Sequence, residues 1–179
     1  QDPESPHRYI TEEFNPGRDD VIADIGAAEG NFALSVIDKV KKVYLLEYDR
    51  EWINALKATF GPWKDKVEII EKYVSDTIDD NHITLDSLIS DHNDINMLKV
   101  DVDGNERKVL KGADSILSGN KKLKIALCTY HKADDEREFT SLLEKKGFRV
   151  TPSKGYMIHY YDKKLGRPWL RRGLIIAGR

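Results

Sequence analysis

The sequence has a single cysteine, Cys128, and no long apolar run. One cysteine excludes a disulfide-stapled scaffold and a cysteine-rich zinc module. No window approaches the ~18 consecutive apolar residues of a membrane-spanning helix, which excludes an integral membrane contact. The first residues, Gln1–Arg8, are polar and lack the apolar core of a signal peptide. We therefore expect a soluble protein that works in the cytoplasm.

The chain also lacks an excess of charge of either sign. Lysine and arginine number 29 and the acidic residues 31, so the net charge is -2 and the pI is about 6.2. A nucleic-acid-binding domain usually has a pI above about 9, and we expect no nucleic-acid partner. The segment from residue 160 onwards is nevertheless locally cationic. Its one acid is Asp162, and its basic residues are Lys163, Lys164, Arg167, Arg171, Arg172 and Arg179.

Short apolar runs alternate with segments of helical periodicity, which is the pattern of an α/β fold. No repeat, low-complexity segment or linker divides the chain, so we predict a single domain over residues 1–179. Residues 1–18 precede the first strand and either lead into it or form part of a lid. The predicted strands are Val21–Ile25, Val43–Glu47, Val67–Val74, Met97–Val102, Leu123–Thr129, Gly155–Tyr161 and Gly173–Ala177.

The order of these segments predicts a doubly wound sheet of seven strands. No long helical segment separates the last two strands, so we expect them to form an antiparallel pair at the edge. Ligands of such sheets bind at the carboxyl ends of the strands, near the point where strand order reverses. The predicted strand ends place four candidate residues there: Asp24, Glu47, Asp101 and His131.

The first candidate site is the glycine turn DIGAAEG, from Asp24 to Gly30. A glycine at a strand-to-helix turn lets the backbone approach a ligand closely. The Gly-x-Gly-x-x-Gly dinucleotide fingerprint is not matched, because Ala28 and Asn31 occupy its second and third glycine positions. The turn therefore suits a ligand without a pyrophosphate, such as S-adenosylmethionine. The alternative is an ordinary tight turn of an α/β protein.

Glu47 ends the second predicted strand, 17 residues after Gly30. An acid about 20 residues beyond such a glycine turn commonly accepts hydrogen bonds from ribose hydroxyls. The alternative is a solvated carboxylate beside Arg50. Taken together, the turn and Glu47 favour a ligand that carries adenosine. Ser75 and Asp76 follow the third strand and either contact an adenine or are ordinary turn residues.

Three acids follow the fourth predicted strand: Asp101, Asp103 and Glu106. Acids in a first helical turn are also favourable for dipole reasons alone, which is the alternative for Asp103 and Glu106. Asp101 is our candidate to position or deprotonate a hydroxyl. Carboxylates suit Mg²⁺, but we favour a site without a bound metal. His131 after the fifth strand either acts as a general base or is structural. Trp52 is expected in the core.

The chain resembles the FkbM-type family of S-adenosylmethionine-dependent methyltransferases. The resemblance covers roughly residues 20–118. It is carried by the segments VIADIGAAEG at 21–30, VYLLE at 43–47, TLDSL at 84–88, LKVDVDGNE at 98–106 and VLKGA at 109–113. It implies a class I, Rossmann-like methyltransferase fold with seven strands, the last of them antiparallel. It also implies O-methyl transfer, often to sugars of glycans, lipopolysaccharide or natural products.

The resemblance also implies roles for particular residues. The cofactor loop would contain Asp24, Gly26, Ala27 and Gly30, Glu47 would bind the ribose, and Ser75 and Asp76 would lie near the adenine. The methyl-transfer face would carry Asp101, Asp103 and Glu106, with Asp101 also beside the cofactor. There are two departures from the family pattern. Asp103 stands where the family usually has glutamate, and the segment between Val74 and Thr84 is short.

These observations lead to one hypothesis and two alternatives. The hypothesis is in-line methyl transfer from S-adenosyl-L-methionine to a hydroxyl of a sugar, glycan or related small molecule. The catalytic candidates are Asp101, His131 and Glu106, with Asp101 or His131 as the base. The cationic C-terminal stretch either favours an anionic acceptor or is a solvated rim. The alternatives are an NAD-dependent oxidoreductase and a non-catalytic cofactor-binding module of the same fold.

Overall fold

A computed structural model of the chain describes residues 2–119, 122–158 and 167–179. The strands are β1 Val21–Ile25, β2 Lys42–Leu46, β3 Val67–Ile70, β4 Tyr73–Val74, β5 His82–Ile83, β6 Met97–Val100, β7 Lys124–Cys128, β8 Arg149–Pro152, β9 Met157–Ile158, β10 Leu170–Arg171 and β11 Leu174–Gly178. The helices are α1 Asn31–Val36, α2 Arg50–Thr59, α3 Leu85–Asp91, α4 Glu106–Lys111, α5 Asp114–Gly119 and α6 Asp135–Lys145. None of the helices in these ranges has the length and apolar character that a membrane crossing needs.

Seven strands form one sheet in the order β3-β2-β1-β6-β7-β11-β8. The first five are mutually parallel, and β11 is antiparallel to both of its neighbours. This arrangement confirms the predicted doubly wound sheet with a reversed last strand. Ile25 pairs with Leu46 on one side and with Val100 on the other. The residues that follow these three therefore leave the sheet side by side.

The sheet is buried on both faces by two apolar clusters. In β1, Val21, Ala23 and Ile25 belong to one cluster and Ile22 to the other, as the two-residue period of a strand requires. The first cluster includes side chains of α3 to α6, and the second includes side chains of α1 and α2 together with Tyr9 and Phe14. Burial of each large apolar side chain contributes roughly 1.5–3 kcal/mol. The lead-in segment is thereby anchored to the domain.

Two predicted strands have different positions in the structure. The third ends at Ile70, and Tyr73–Val74 pairs with His82–Ile83 in a separate small sheet. The sixth strand of the main sheet is Arg149–Pro152, not Gly155–Tyr161. This edge strand is mostly exposed and contains a proline, so it has almost no apolar signal. Within the predicted range, Met157–Ile158 pairs with Leu170–Arg171 in a two-stranded ribbon, and residues 159–161 lie outside the described residues.

Helices α4 and α5 are separated at Gly112. A Cβ at this glycine would lie 2.2 Å from the carbonyl oxygen of Ser75, so only glycine permits the approach. The close contact fixes the chain after β4 against the end of α4. Thr84 caps α3 by accepting a hydrogen bond from the backbone N–H of Ser87 at 3.1 Å. Ser75 is held at the edge of the site by this packing.

Candidate cofactor-binding and catalytic site

A cavity of about 640 Å³ opens at the carboxyl ends of β1, β2 and β6. This volume is ordinary for a small-molecule site. The sequence-predicted residues that line it are Gly26, Ala27, Glu47, Ser75, Asp101 and Asp103. Those that do not are Asp24, Gly30, Asp76, Glu106 and His131. The topology therefore brings more than half of the candidates together around one space and places the others behind or beside it.

The glycine turn is pressed against the end of β6. Gly26 has φ +75, and a Cβ built on it would lie 1.9 Å from the carbonyl oxygen of Asp101. Gly30 has φ +77, and a Cβ there would meet the side chains of Leu56 and Phe60. Glycine at these positions is thus required by the backbone conformation and by packing. Gly30 shapes the turn and does not line the cavity, and its role in cofactor binding stays a prediction.

Asp24 lies beneath the turn and is completely buried. Its Oδ1 is 2.9 Å from Nζ of Lys99, which also donates a hydrogen bond of 2.6 Å to the carbonyl of Gly26. Burial raises the pKa of Asp24, and the Lys99 ammonium opposes that rise. For Lys99, burial acts to lower the pKa, but the attraction of Asp24 outweighs it and the pKa is raised. The expectation of a direct Asp24–cofactor contact is corrected: Asp24 holds Lys99, and Lys99 holds the turn.

Glu47 lines the cavity with its carboxylate fixed by backbone donors. One oxygen accepts a hydrogen bond from the N–H of Ala28 at 2.8 Å, and the other accepts from the N–H groups of Tyr48 and Asp49 at 2.7 and 2.9 Å. No ion pair joins Glu47 to Arg50 in the described ranges. Because a carboxylate offers about four lone-pair sites, Glu47 retains the capacity to accept a further hydrogen bond from a ligand.

Aromatic side chains beside Glu47 were missed or misplaced by the sequence reasoning. Trp52 was expected in the core, but it is 42% exposed and lines the cavity, because Ile53 and Leu56 form the buried side of α2. Tyr48 and Tyr73 stack at 4.0 Å between ring centroids and also line the cavity. In the sequence, only the position of Tyr48 directly after Glu47 indicated that an aromatic side chain lines this side of the cavity.

Ser75 and Asp76 have different surroundings. Ser75 is almost fully buried at the edge of the cavity, and its hydroxyl donates to Oδ1 of Asp76 at 3.3 Å. Asp76 accepts a hydrogen bond of 2.7 Å from Nζ of Lys111, and this bond lowers the pKa of the carboxyl. The carboxylate of Asp76 is directed to Lys111 and lies outside the cavity lining, and its contact with an adenine stays a prediction.

Asp101 is surrounded by proton donors. Its Oδ2 accepts a hydrogen bond of 2.7 Å from the Tyr9 hydroxyl, and its Oδ1 accepts one of 3.1 Å from the Tyr130 hydroxyl. Nε2 of His7 lies 3.4 Å from Oδ2. Burial by itself would raise the pKa of Asp101, but His7, Lys99 and Tyr9 hold it well below its usual range. Asp101 is therefore an anion with little affinity for a proton.

His131 is paired behind Asp101 and is almost completely buried. Its Nδ1 lies 3.0 Å from Oε1 of Glu106, which also accepts hydrogen bonds from the N–H groups of Val102 and Gly104. Although burial would lower it, contacts with Asp103 and Glu106 raise the pKa of His131 to about 9. His131 does not line the cavity, and a protonated imidazole has no lone pair to accept a proton, so the geometry gives no support to the prediction that His131 is the base. Glu106 holds this cation and does not reach the cavity.

The N-terminal segment contributes two further cavity residues, His7 and Tyr9. A carbonyl of the same segment, that of Pro6, packs so closely on Gly173 that a Cβ there would lie 2.1 Å away. No motif in the sequence connected His7 or Tyr9 with the strand ends, because Tyr9 and Asp101 are 92 positions apart. The only signal was the location of both residues in the predicted lead-in.

The C-terminal arginines have structural partners. Arg171 is nearly buried and donates hydrogen bonds of 2.9 and 2.8 Å to the carbonyls of Tyr130 and His131. Arg172 donates to the carbonyls of Ser153 and Gly155. Neither arginine lines the cavity, so this pair gives no support to an anionic acceptor, which stays a prediction for the cationic stretch. Lys163 and Lys164 lie outside the described residues.

The charged groups that line the cavity are mostly acidic. The carboxylates are those of Glu29, Glu47, Asp49, Asp101 and Asp103, and the ammonium groups are those of Lys99 and Lys108. The Lys99 charge is already matched by Asp24. Acidic walls of low dielectric favour a cationic ligand and oppose a dianionic pyrophosphate.

The strand order and the cavity at the carboxyl ends of its central strands define the fold as that of a class I methyltransferase. A model of the methyltransferase FkbM domain matches residues 54–150, more than half of the chain. The chain belongs to the FkbM methyltransferase family. No curated protein matches it in sequence.

Three solved structures illustrate the similarity of fold. Methyltransferase FkbM from Methylobacillus flagellatus KT has a TM-score of 0.67 and 20% identity over 89% of this chain and 43% of that one. Precorrin-6y C5,15-methyltransferase from Geobacter metallireducens GS-15 has a TM-score of 0.64 and 14% identity over 93% and 84%. A proposed tRNA methyltransferase from Streptococcus pneumoniae, in complex with S-adenosyl-L-methionine, has a TM-score of 0.58 and 11% identity over 91% and 68%. The chain thus spans less than half of the Methylobacillus protein.

Proposed function

We propose that the chain binds S-adenosyl-L-methionine in this cavity and transfers its methyl group to a hydroxyl of a sugar, glycan or related small molecule. The observation that carries the proposal is the acidic cavity at the carboxyl ends of β1, β2 and β6. The cofactor carries a sulfonium and an ammonium against one carboxylate, so its net positive charge matches these walls. NAD, with its two phosphates, does not.

The residues present fit such a cofactor. Glu47 would accept hydrogen bonds from the ribose hydroxyls, because its carboxylate lines the cavity and is fixed in place by three backbone donors. Gly26 and Ala27 would lie along the amino-acid portion, and Ser75 near the adenine. Trp52 and Tyr48 offer apolar surface on the same wall. When bound, the cofactor supplies an electrophilic methyl group, and its leaving group, a neutral thioether, needs no protonation.

Asp101 would favour methyl transfer through its negative charge and by helping to orient the two reactants. It is an anion in a mostly buried setting, so its field is weakly screened and favours a sulfonium nearby. Orientation of two reactants in a closed site also removes much of the entropic barrier to a bimolecular step. Tyr9 and Tyr130 fix both carboxylate oxygens of Asp101, which keeps this geometry constant.

The acceptor side is proposed to lie under residues 1–18, since His7 and Tyr9 from this segment line the cavity. The exposed carboxylate of Asp103 is at the same side. These features support an acceptor that is uncharged where it enters the cavity, such as a sugar hydroxyl. The buried thiol of Cys128 supports a reducing compartment, and we propose the cytoplasm.

The cofactor assignment is tested by calorimetric titration with S-adenosylmethionine, S-adenosylhomocysteine and NAD in parallel. We expect the two sulfur compounds to bind and NAD not to bind. Glu47→Gln should weaken S-adenosylhomocysteine binding by about tenfold or more, because a charge-assisted hydrogen bond is lost. Glu71→Gln, on a residue paired with Lys57 outside the cavity lining, is the matched control. Binding of NAD alone would contradict the proposal.

The acceptor class is tested with methyl-labelled cofactor and defined probes. The probes are the methyl glycosides of glucose, mannose and glucuronic acid, and a tRNA transcript. We expect label on a neutral glycoside in preference to the glucuronide. Label on the RNA alone contradicts the sugar assignment while keeping methyl transfer, and binding of cofactor without transfer to any probe favours a non-catalytic module.

A further inference from the structure

His7 lies at the junction of the cavity and the buried cluster around Asp101. Its Nε2 is 3.4 Å from Oδ2 of Asp101, 3.0 Å from the Tyr9 hydroxyl and 3.2 Å from Sγ of Cys128. Its ring meets that of Tyr130 edge-on at 5.0 Å. The side chain is 29% exposed and lines the cavity. One imidazole thus contacts both an ionised carboxylate and the space where a substrate binds.

The other titratable groups at this end are poorly suited to take a proton from a hydroxyl. Asp101 has a lowered pKa, and His131 is already protonated and lies outside the cavity lining. Burial raises the pKa of both Tyr9 and Cys128, so each keeps its own proton at neutral pH. Among the described residues that line the cavity, His7 is the imidazole that lies within 3.4 Å of the Asp101 carboxylate.

We propose that His7 is the general base of methyl transfer and that Asp101 is its positioning partner. This inference rests on the proposed function, transfer to a hydroxyl. It assigns the N-terminal segment a catalytic group in addition to a covering role. It also gives Asp101 a role that its weak basicity permits, since a fixed carboxylate orients an imidazole and stabilises the imidazolium that forms.

The proton and electron balance of the step is simple. The acceptor oxygen forms a bond to the methyl carbon while the carbon–sulfur bond breaks, and that electron pair goes to sulfur. The O–H bond of the acceptor breaks, and its proton passes to the His7 imidazole at Nδ1, opposite the Nε2 edge that faces Asp101. The products are the methyl ether, the neutral thioether and an imidazolium paired with Asp101. Release of the proton to solvent restores the base.

A metal ion at the same place is the competing interpretation, because His7, Asp101 and Cys128 offer donor atoms within 4.8 Å of one another. The Tyr9 hydroxyl, however, lies 3.0, 2.7 and 3.5 Å from these three donors. These are hydrogen-bonding distances, and the hydroxyl occupies the position between the donors that an ion would take. A hydrogen-bonded cluster therefore accounts for the grouping.

The kinetic test compares His7→Gln and His7→Ala with His92→Gln. His92 is a partly buried histidine that stacks on Tyr44 outside the cavity lining, which makes it a matched control. The probes are the methyl glycosides that accept label from the wild type. General-base catalysis is worth about 10²- to 10⁴-fold. We expect kcat of both His7 variants to fall by about 10²-fold or more, while S-adenosylhomocysteine affinity stays within about twofold.

Two readouts separate a base from a merely structural histidine. Added imidazole should restore part of the turnover of His7→Ala, because the truncated side chain leaves room for it. It should restore none of the turnover of His7→Gln, because the glutamine side chain fills that space. In the wild type, the pH dependence of kcat should show a limb that both variants lose. The groups that face His7 are Tyr9, Asp101, Cys128 and Tyr130, and all of them are retained in the variants.

A measurement without turnover completes the test. Diethyl pyrocarbonate modifies neutral, accessible imidazoles, and mass spectrometry locates the adduct. In protein loaded with S-adenosylhomocysteine, we expect His7 to react because its side chain is 29% exposed, and the buried His131 to be protected. Protection of His7 while His92 reacts overturns the inference, as does turnover of His7→Gln above about half of the wild-type value. If the wild type binds cofactor but labels no hydroxyl probe, the proposed function itself fails.

Discussion

The ammonium of Lys99 lies between the carboxylate of Asp24, at 2.9 Å, and the carbonyl of Gly26, at 2.6 Å. This relationship connects two neighbouring strands to the turn that enters the cavity. The ion pair is buried, so loss of either partner would leave the other charge buried without a counter-charge and lower the stability of the fold. The turn is therefore positioned from below by a charge pair and not by its own glycines alone.

Removal of one partner should be more harmful than removal of both. Lys99→Met leaves Asp24 as a buried carboxylate without its counter-charge, which costs about 3–5 kcal/mol. The double variant Asp24→Asn/Lys99→Met should be less destabilised than Lys99→Met alone. Urea unfolding followed by circular dichroism measures both. Additive losses in the double variant would show that the pair is not coupled.

Gly26→Ala should disturb the turn and the site together. The new Cβ would overlap the Asp101 carbonyl, and φ +75 is strained for alanine. We expect a loss of roughly 1–3 kcal/mol in unfolding free energy and a marked loss of S-adenosylhomocysteine affinity by calorimetry. Gly61→Ala is the control, since a Cβ there meets nothing within 4 Å. Equal behaviour of the two variants would contradict the close approach.

The pairing of His131 with Glu106 should make stability depend on pH. The folded-state pKa of His131 is raised to about 9 from the usual 6.5, so the stabilisation is complete below pH 6.5 and is lost as pH rises to 9. The change amounts to about 3 kcal/mol at most. Unfolding free energies measured at intervals across this window should fall in the wild type. In His131→Gln, this part of the slope should disappear, and persistence of the full slope would assign it to other groups.

Arg171 should matter for stability and not for acceptor charge. Its guanidinium is almost buried and binds the carbonyls of Tyr130 and His131, which anchor the segment after β7. Arg171→Met should lower the unfolding free energy by about 2–3 kcal/mol, because charged hydrogen bonds are lost. Arg167→Met, on an exposed arginine that stacks on Trp169, should change it by less than about 0.5 kcal/mol. If Arg171→Met kept the wild-type unfolding free energy but changed the preference between neutral and anionic acceptors, Arg171 would have a role in acceptor recognition and not in stability.

Local patterns were sufficient for the central sheet and for one side of the site. Four buried strands, the half-buried β3 and the intervening helices produce a strong apolar period, and parallel strands place their carboxyl ends together. Gly26, Glu47 and Asp101 were therefore predictable as neighbours. The edge strand Arg149–Pro152 was not, because exposed residues on an edge leave no apolar alternation.

The residues whose surroundings differ from the sequence prediction share a physical cause. Asp24 and His131 are titratable residues at strand ends, but both are buried, lie outside the cavity lining and contact a fixed counter-charge, Asp24 with Lys99 and His131 with Glu106. Trp52 has an apolar side chain at a helical position next to the buried face, and the sequence period alone does not say which neighbour it meets. Each outcome depends on partners from other elements.

The amino-acid sequence by itself determined the α/β class, the family and the glycine turn followed by Glu47 and Asp101, because these depend on local period and short-range spacing. Only the tertiary structure decided which carboxylates face the cavity, which are neutralised, and that His7 and Tyr9 reach Asp101 from the other end of the chain. Ionisation and access depend on burial and on neighbouring charges. Those neighbours are brought together by packing, which short-range spacing does not reveal.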